Sequence, residues 1–196
     1  MSAPTPPSDL ARRNPAILDL PARSELHRFH AAGRDPIYFD KSLDGRLNAP
    51  DASYGVLYTA REIEGAFAES FLRIPGRTIL PADLLKKKAY ALLATKRPLR
   101  LLLLAGPGLA RVGATAEVVH GGLPYTVPQA WSAALHARRP AVDGIAYNAR
   151  HDDTALCYAL FDRARDAVRK VKRLKALDRD WFWEIAEKYG VGRAPS

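Results

Sequence analysis

The stretch Leu99–Ala105 reads Leu-Arg-Leu-Leu-Leu-Leu-Ala and runs into Gly106-Pro107-Gly108. Consecutive large apolar residues leave no face for water, so the run predicts a central strand buried on both sides and ended by the Gly-Pro-Gly turn. Lys88–Thr95 predicts a second strand, joined to the first across Lys96-Arg97-Pro98. Asp143–Asn148 and Leu156–Phe161 predict two more, flanking a polar turn at 149–154. The apolar stretch Leu101–Ala110 is too short to span a bilayer. The start, MSAPTPPSDLARR, lacks the apolar run of a secretory signal, which makes the cytoplasm the expected location.

Between these strands the pattern changes to helices. Gly55–Tyr58 has strand character, and Thr59-Ala60-Arg61-Glu62 has the spacing of a capping box. The helix expected over 60–72 places Ile63, Phe67 and Phe71 toward the core, with Glu62, Gly65, Ala66 and Glu69 on an adjacent face. Glu69 then lies over two small residues, with open space in front of it. Thr126–Gln129 has the same spacing with Pro128 in the first turn, predicting a helix over Val127–His136 that buries Trp131 and Leu135. Trp181, Ile185 and Tyr189 predict a helix over Asp178–Tyr189, stopped by Gly190. Val168, Val171 and Leu174 fall at helical spacing within Arg163–Lys175, which predicts a basic, solvated helix. Residues 1–15, rich in Pro and Ser, are expected to fray, and 31–54 to form a long loop between Ala16–Phe29 and the first long strand.

The chain has 196 residues, 47% of them hydrophobic and 26% charged, enough for one domain over 16–196 with a sizeable core. Thirty Lys and Arg against twenty-one Asp and Glu leave a net charge of +9, which points to an anionic partner. The single cysteine, Cys157, excludes an internal disulfide and multi-cysteine metal sites, and its apolar strand predicts a buried, inert thiol. His27 and His30 could share a metal only if helical and lack a third ligand, so no metal is expected. His151-Asp152-Asp153 reads as a strand-joining turn. Gly106, Gly108 and Gly113 miss the dinucleotide-fold spacing, and no helix-turn-helix, zinc-finger or RNA-binding signature occurs.

A succession of short segments is more specific. Leu26-His27-Arg28-Phe29-His30 is followed by Asp44-Gly45-Arg46-Leu47-Asn48-Ala49-Pro50, Gly55–Ala60 and Ala66-Phe67-Ala68-Glu69-Ser70. Arg97–Leu101, Gln129-Ala130-Trp131, Asp143–Tyr147 and Ala159–Asp162 come after them in order. Over roughly 25–165 this order resembles the RES domain family, NAD+-degrading toxins of bacterial RES–Xre toxin–antitoxin pairs. The resemblance implies an α+β, ADP-ribosyltransferase-like single domain with a mixed β core and flanking helices. It further implies phosphorolysis or hydrolysis of the nicotinamide–ribose bond, with NAD+ as substrate, inorganic phosphate as a co-substrate, and no resident cofactor. It places Arg46, Tyr58 and Glu69 in catalysis and Arg28 and Asn148 in substrate binding. Asn148 departs from the pattern, standing in Tyr147-Asn148-Ala149-Arg150 where the family has serine.

The residue types suit that chemistry. A carboxylate stabilises an oxocarbenium-like state, and arginines grip phosphate through forked, charge-assisted hydrogen bonds. Tyr58 would stack on nicotinamide or bond to the ligand. The resemblance also implies an Xre-type antitoxin as partner and a homodimer within the toxin–antitoxin complex. The alternatives are transfer of ADP-ribose to a macromolecule, a non-catalytic basic module that binds nucleic acid or protein through 163–175, and a degenerate member kept for protein binding. Direct nucleic-acid binding is the less expected of these, since no recognition motif accompanies the charge.

Overall fold

The computed structural model describes residues 3–194. In chain order the elements are β1 (Ile17–Leu20), β2 (Glu25–Ala31), β3 (Val56–Ala60), α1 (Ile63–Phe71), β4 (Ile79–Leu80), α2 (Ala82–Lys86), β5 (Lys88–Thr95) and β6 (Leu99–Leu104). There follow α3 (Pro107–Val112), α4 (Glu117–His120), α5 (Thr126–Arg138), β7 (Gly144–Ala149), β8 (Asp152–Phe161), β9 (Val168–Leu174), α6 (Asp180–Lys188) and β10 (Gly192–Arg193). Eight strands form a mixed sheet in the order β1-β6-β7-β8-β3-β2-β5-β9, in which β6 and β7 are parallel and every other pair is antiparallel. A two-stranded sheet joins β4 and β10.

The connection between β5 and β6 dictates the shape of the large sheet. These strands lie five positions apart in the order β1-β6-β7-β8-β3-β2-β5-β9, a distance of about 24 Å in a flat sheet. Lys96, Arg97 and Pro98 alone join them, and that link reaches at most about 14 Å. The sheet therefore curls until its two ends approach. Asp143, before β7, fixes the closure: it accepts a forked pair of bonds from Arg97 at 3.0 and 2.7 Å and the Arg100 N–H at 2.9 Å. The Lys96 N–H donates to Ala167 at the start of β9.

Curling separates two apolar clusters. One face of the sheet gathers Leu26, Leu57, Leu93, Leu101, Tyr158 and Leu160. The other meets the helices, with Phe67 and Phe71 of α1 packed on Phe29 and on Phe182 of α6 at ring separations of 5.1 to 6.4 Å. The Leu run supplies both faces, Leu99 and Leu101 to the first and Leu102 and Leu104 to the second. Its strand is buried as expected but lies one place from the sheet edge, beside short β1, and does not pair with β5.

Five further expectations are corrected. Residues 163–175 are not a helix: a 3-10 turn at Asp162–Ala167 leads into β9, which pairs along β5. The open edge of β5 needs a partner for its backbone groups, and a register shift opposite Leu92/Leu93 lets Val168 and Leu174 sit at the two ends of the strand while Val171 stays exposed. Its basic side chains guard the new edge against further pairing. The 1–15 segment does not fray over its described part. Leu10 is buried, the Trp131 indole donates to the Pro4 carbonyl at 2.6 Å, and Arg139 donates to the carbonyls of Leu10 and Ala11. Met1 and Ser2, and Pro195 and Ser196 at the other end, lie outside the described residues.

The remaining corrections concern helix starts. Thr59 stays in the β3–β8 ladder opposite Tyr158, so α1 begins without a side-chain cap. Thr126 is itself helical, and Gln129 turns to the loop before β3 instead of capping α5. On α1, Gly65 and Ala66 are buried rather than open: a Cβ on Gly65 would lie 3.2 Å from those of Ala60 and Ala155, so the missing side chain brings the helix down onto the strands.

Gly144 is the tightest contact inside the sheet, where a Cβ would come 2.4 Å from the Ala159 carbonyl oxygen. Gly144→Ala should lower unfolding free energy by about 1–3 kcal/mol through overpacking against backbone. Denaturant titration measures this, and an unchanged midpoint would show that β7 and β8 part at no cost.

Candidate active site

The cleft begins where two strands part. β2 and β3 share one ladder position, His27 with Ala60. Toward the start of β3, Val56 exchanges both backbone bonds with Asp40, each 2.9 Å, instead of with β2. Val56, Tyr58 and Ala60 turn their N–H and C=O to the same side, so those of Tyr58 face a gap, with Phe29 opposite. A cavity of about 230 Å³ occupies the opening.

Strand alternation distributes the lining. Arg28, His30 and Thr59 project on the sheet face that carries Leu26 and Leu57, whereas Tyr58 shares the helical face with Phe29. From the helical side Glu69 of α1, Arg46, Arg73 and Lys88 border the same opening. A smaller hollow of about 110 Å³ continues past Arg46, Glu69 and Arg73 to Tyr125, Arg150 and His151.

Glu69 and Arg46 form the polar center. The Arg150 backbone N–H donates to Glu69 Oε1 at 2.8 Å, and Arg46 Nη1 stands 3.8 Å from Oε2. Arg46 Nη1 also donates to the Val119 carbonyl at 2.7 Å, and its guanidinium lies over the Tyr125 ring. The loop bearing Arg46 is held at several points. Gln129 donates to the carbonyls of Leu43 and Gly45, and Ser132 to that of Leu47. Fully buried Asn48 donates to Asp40 and to the Ser42 carbonyl.

Tyr58 completes that clamp. Its hydroxyl donates to Asn48 Oδ1 at 2.9 Å and accepts the Leu47 N–H at 2.8 Å, and burial raises its pKa far above the usual phenol range. Of the two expected uses of Tyr58, stacking on nicotinamide or bonding to the ligand, the hydroxyl is thus taken up by the Arg46 loop, and the ring borders the cleft. Asn148 does not line the cleft; it follows Tyr147 on the opposite face of β7, and its carbonyl contacts His120. Its segment contributes Tyr147 and the Arg150 N–H instead.

Several lining residues have no marker in sequence. Arg73 and Lys88 join Arg28 in a basic group, and burial followed by the Arg73 and Arg28 charges lowers the Lys88 pKa. Burial pulls the Arg28 guanidinium to about 10, still cationic at neutral pH. Their only sequence signal is positive charge beside the elements bearing Arg28 and Glu69, which many surface residues share. Cys157, at the cleft, is buried with its thiol pKa pushed up by burial, as expected of an inert thiol. His27 and His30, three apart on a strand, face opposite ways, and among the described residues no group of His, Cys, Asp and Glu is disposed to hold a metal.

Tyr58→Phe removes two bonds and leaves the Leu47 N–H unpaired. It should cost about 1–3 kcal/mol of stability, readable by denaturant unfolding, whereas a hydroxyl reserved for ligand would leave stability unchanged. A second outcome concerns acid. His30 is depressed to about 4 by burial, then by the Arg28 and Arg173 charges. The unfolded chain therefore binds its proton first, and stability is lost as pH falls from about 6.5 toward 4, by about 3 kcal/mol. His30→Gln should flatten that part of the stability-versus-pH curve, and a slope equal to wild type would contradict it.

The RES domain model matches residues 21–183. A chain in the crystal structure of the M. tuberculosis MbcT–MbcA toxin–antitoxin complex superposes with a TM-score of 0.65 at 15% identity, covering 86% of this chain and 92% of that one. This likeness extends to the fold. No curated protein matches. The RES match spans the curled sheet from β2 onward, the cleft and the first turn of α6, and the chain belongs to the RES domain family.

Proposed function

We propose that this chain is the toxin of a toxin–antitoxin pair and destroys NAD+ by breaking its nicotinamide–ribose bond. The observation that supports this most is Glu69, oriented by the Arg150 N–H and Arg46 at a cleft bordered by Arg28, Arg73 and Lys88. The three cations suit the two charges of a pyrophosphate. The Glu69 carboxylate suits the positive charge that develops on the ribose as the bond lengthens. The bonding pair leaves with nicotinamide, which departs neutral and needs no strong acid. Water or inorganic phosphate then bonds to the ribose carbon, water losing a proton as it does so.

NAD+ is the substrate here, with phosphate as a co-substrate and no resident cofactor. An Xre-type antitoxin would silence the enzyme by covering or filling the cleft, within a complex that contains a toxin homodimer. The proposed setting is the cytoplasm, where NAD+ is available to the cleft. No helix of the described residues is long and apolar enough to cross a membrane. Asn148 retains a substrate-binding role only if ligand entry rearranges β7.

Purified protein should release nicotinamide from NAD+, and assays with and without phosphate identify the nucleophile. Label from NAD+ retained on a macromolecule would show ADP-ribose transfer instead. Glu69→Ala should reduce the rate by about 100-fold or more with little change in thermal midpoint, because its carboxylate accepts one backbone bond at the surface of the cleft. Folded wild-type protein that leaves NAD+ intact under both conditions would overturn the proposal.

A further inference from the structure

Besides Nε of Arg46, two buried polar atoms of residues that line the cleft have no hydrogen-bond partner: Nε2 of His30 and Oγ1 of Thr59. His30 is 3% and Thr59 5% exposed, so solvent does little to compensate either one. They stand on opposite lips, His30 on β2 and Thr59 on β3, on the same face of the parted sheet.

The state of the imidazole is fixed by its other nitrogen. His30 Nδ1 lies 2.9 Å from the Ala31 carbonyl, which can only accept, so Nδ1 carries the proton and Nε2 offers a lone pair. Burial and the charges of Arg28 on β2 and Arg173 on β9 keep the ring neutral; Asp35 and the Ala31 carbonyl oppose them without prevailing. Neutral His30 cannot serve as another phosphate-binding cation. It needs a donor, and Thr59 on the facing strand can give or take one hydrogen bond.

We propose that His30 and Thr59 form a subsite for a ribose hydroxyl, next to the cations that would hold phosphate. A sugar hydroxyl donates to His30 Nε2 while its oxygen or its neighbor pairs with Thr59. This rests on NAD+ being the substrate. The dinucleotide has two riboses that could supply the hydroxyl, and the shared chemistry is the same for both.

An unpaired buried hydroxyl costs the free protein stability, so its removal has opposite effects on folding and on binding. Thr59→Val should leave the thermal midpoint equal or higher while raising KM for NAD+ about tenfold, with kcat changed less. His30→Leu should act in the same direction, and His30→Gln, which keeps an acceptor, should recover part of the loss. Should the His30 variants fail to fold, Thr59→Val decides alone, because it deletes no existing hydrogen bond. Analogues lacking the 2′-hydroxyl on the nicotinamide ribose or on the adenosine ribose identify the source, since the correct one abolishes the difference between Thr59→Val and wild type. Wild-type turnover with unchanged KM for Thr59→Val would overturn the subsite alone. A variant effect that persists with both deoxy analogues would overturn the assignment to these hydroxyls, and absence of wild-type turnover would overturn the cleavage proposal and this one together.

Discussion

The pair of backbone bonds between Asp40 and Val56 is the constraint on which the cleft depends. A strand in a sheet needs partners on both edges, and β3 has β8 on one. On the other, Asp40 satisfies the first residue of β3 and β2 satisfies the last, leaving the middle of the strand unzipped without leaving its ends unpaired. An ordinary ladder would have closed the opening. Asp40 then uses its carboxylate to hold Ser42 and Asn48, so the residue that parts the strands also anchors the loop that brings Arg46 to Glu69.

Beyond the Asp40 carboxylate, that loop is held by hydrogen bonds between neutral groups rather than by apolar packing alone. Asn48, Tyr58, Gln129 and Ser132 each spend side-chain polar atoms on it. Polar atoms left without partners concentrate nearby: Arg46, His30 and Thr59 at the main cavity and His151 at its smaller extension. Folding has thus satisfied the scaffold and left unmet bonding capacity where a polar ligand would enter. Arg46 belongs to both groups, tied down through Nη1 while its Nε stays unpaired.

Much of the fold was legible because burial on both faces and period-two alternation leave strong marks. The Leu run, β5, β7 and β8 carried them, and helical spacing with its end signals marked α5 and α6. Misreadings arose where a pattern has two physical solutions. Val168, Val171 and Leu174 suit a helix face, but also a strand whose register slips, and the sheet edge of β5 selects the second. The Thr-x-x-Glu and Thr-x-x-Gln spacings suit caps until a ladder claims Thr59 and a loop claims Gln129. Glu69 and Arg46 were legible through the ordered resemblance, and they meet. Tyr58 was legible in place, but the bonds of its hydroxyl were not, because their partners come from a loop with no periodicity. Arg73, Lys88 and His30 become neighbors only through topology, and Asn148 is turned away by alternation along β7.

The docking of the N-terminal segment on α5 ties the site to a distant part of the chain. Arg139 and Trp131 bind that segment along the same helix whose Gln129 and Ser132 hold the Arg46 loop. The bed of the N-terminal segment and the clamp on the arginine beside Glu69 are thus carried by one helix of about three turns and its C-cap. The chain's least patterned stretch is therefore packed on the same scaffold that positions the catalytic candidates, one helix away from them.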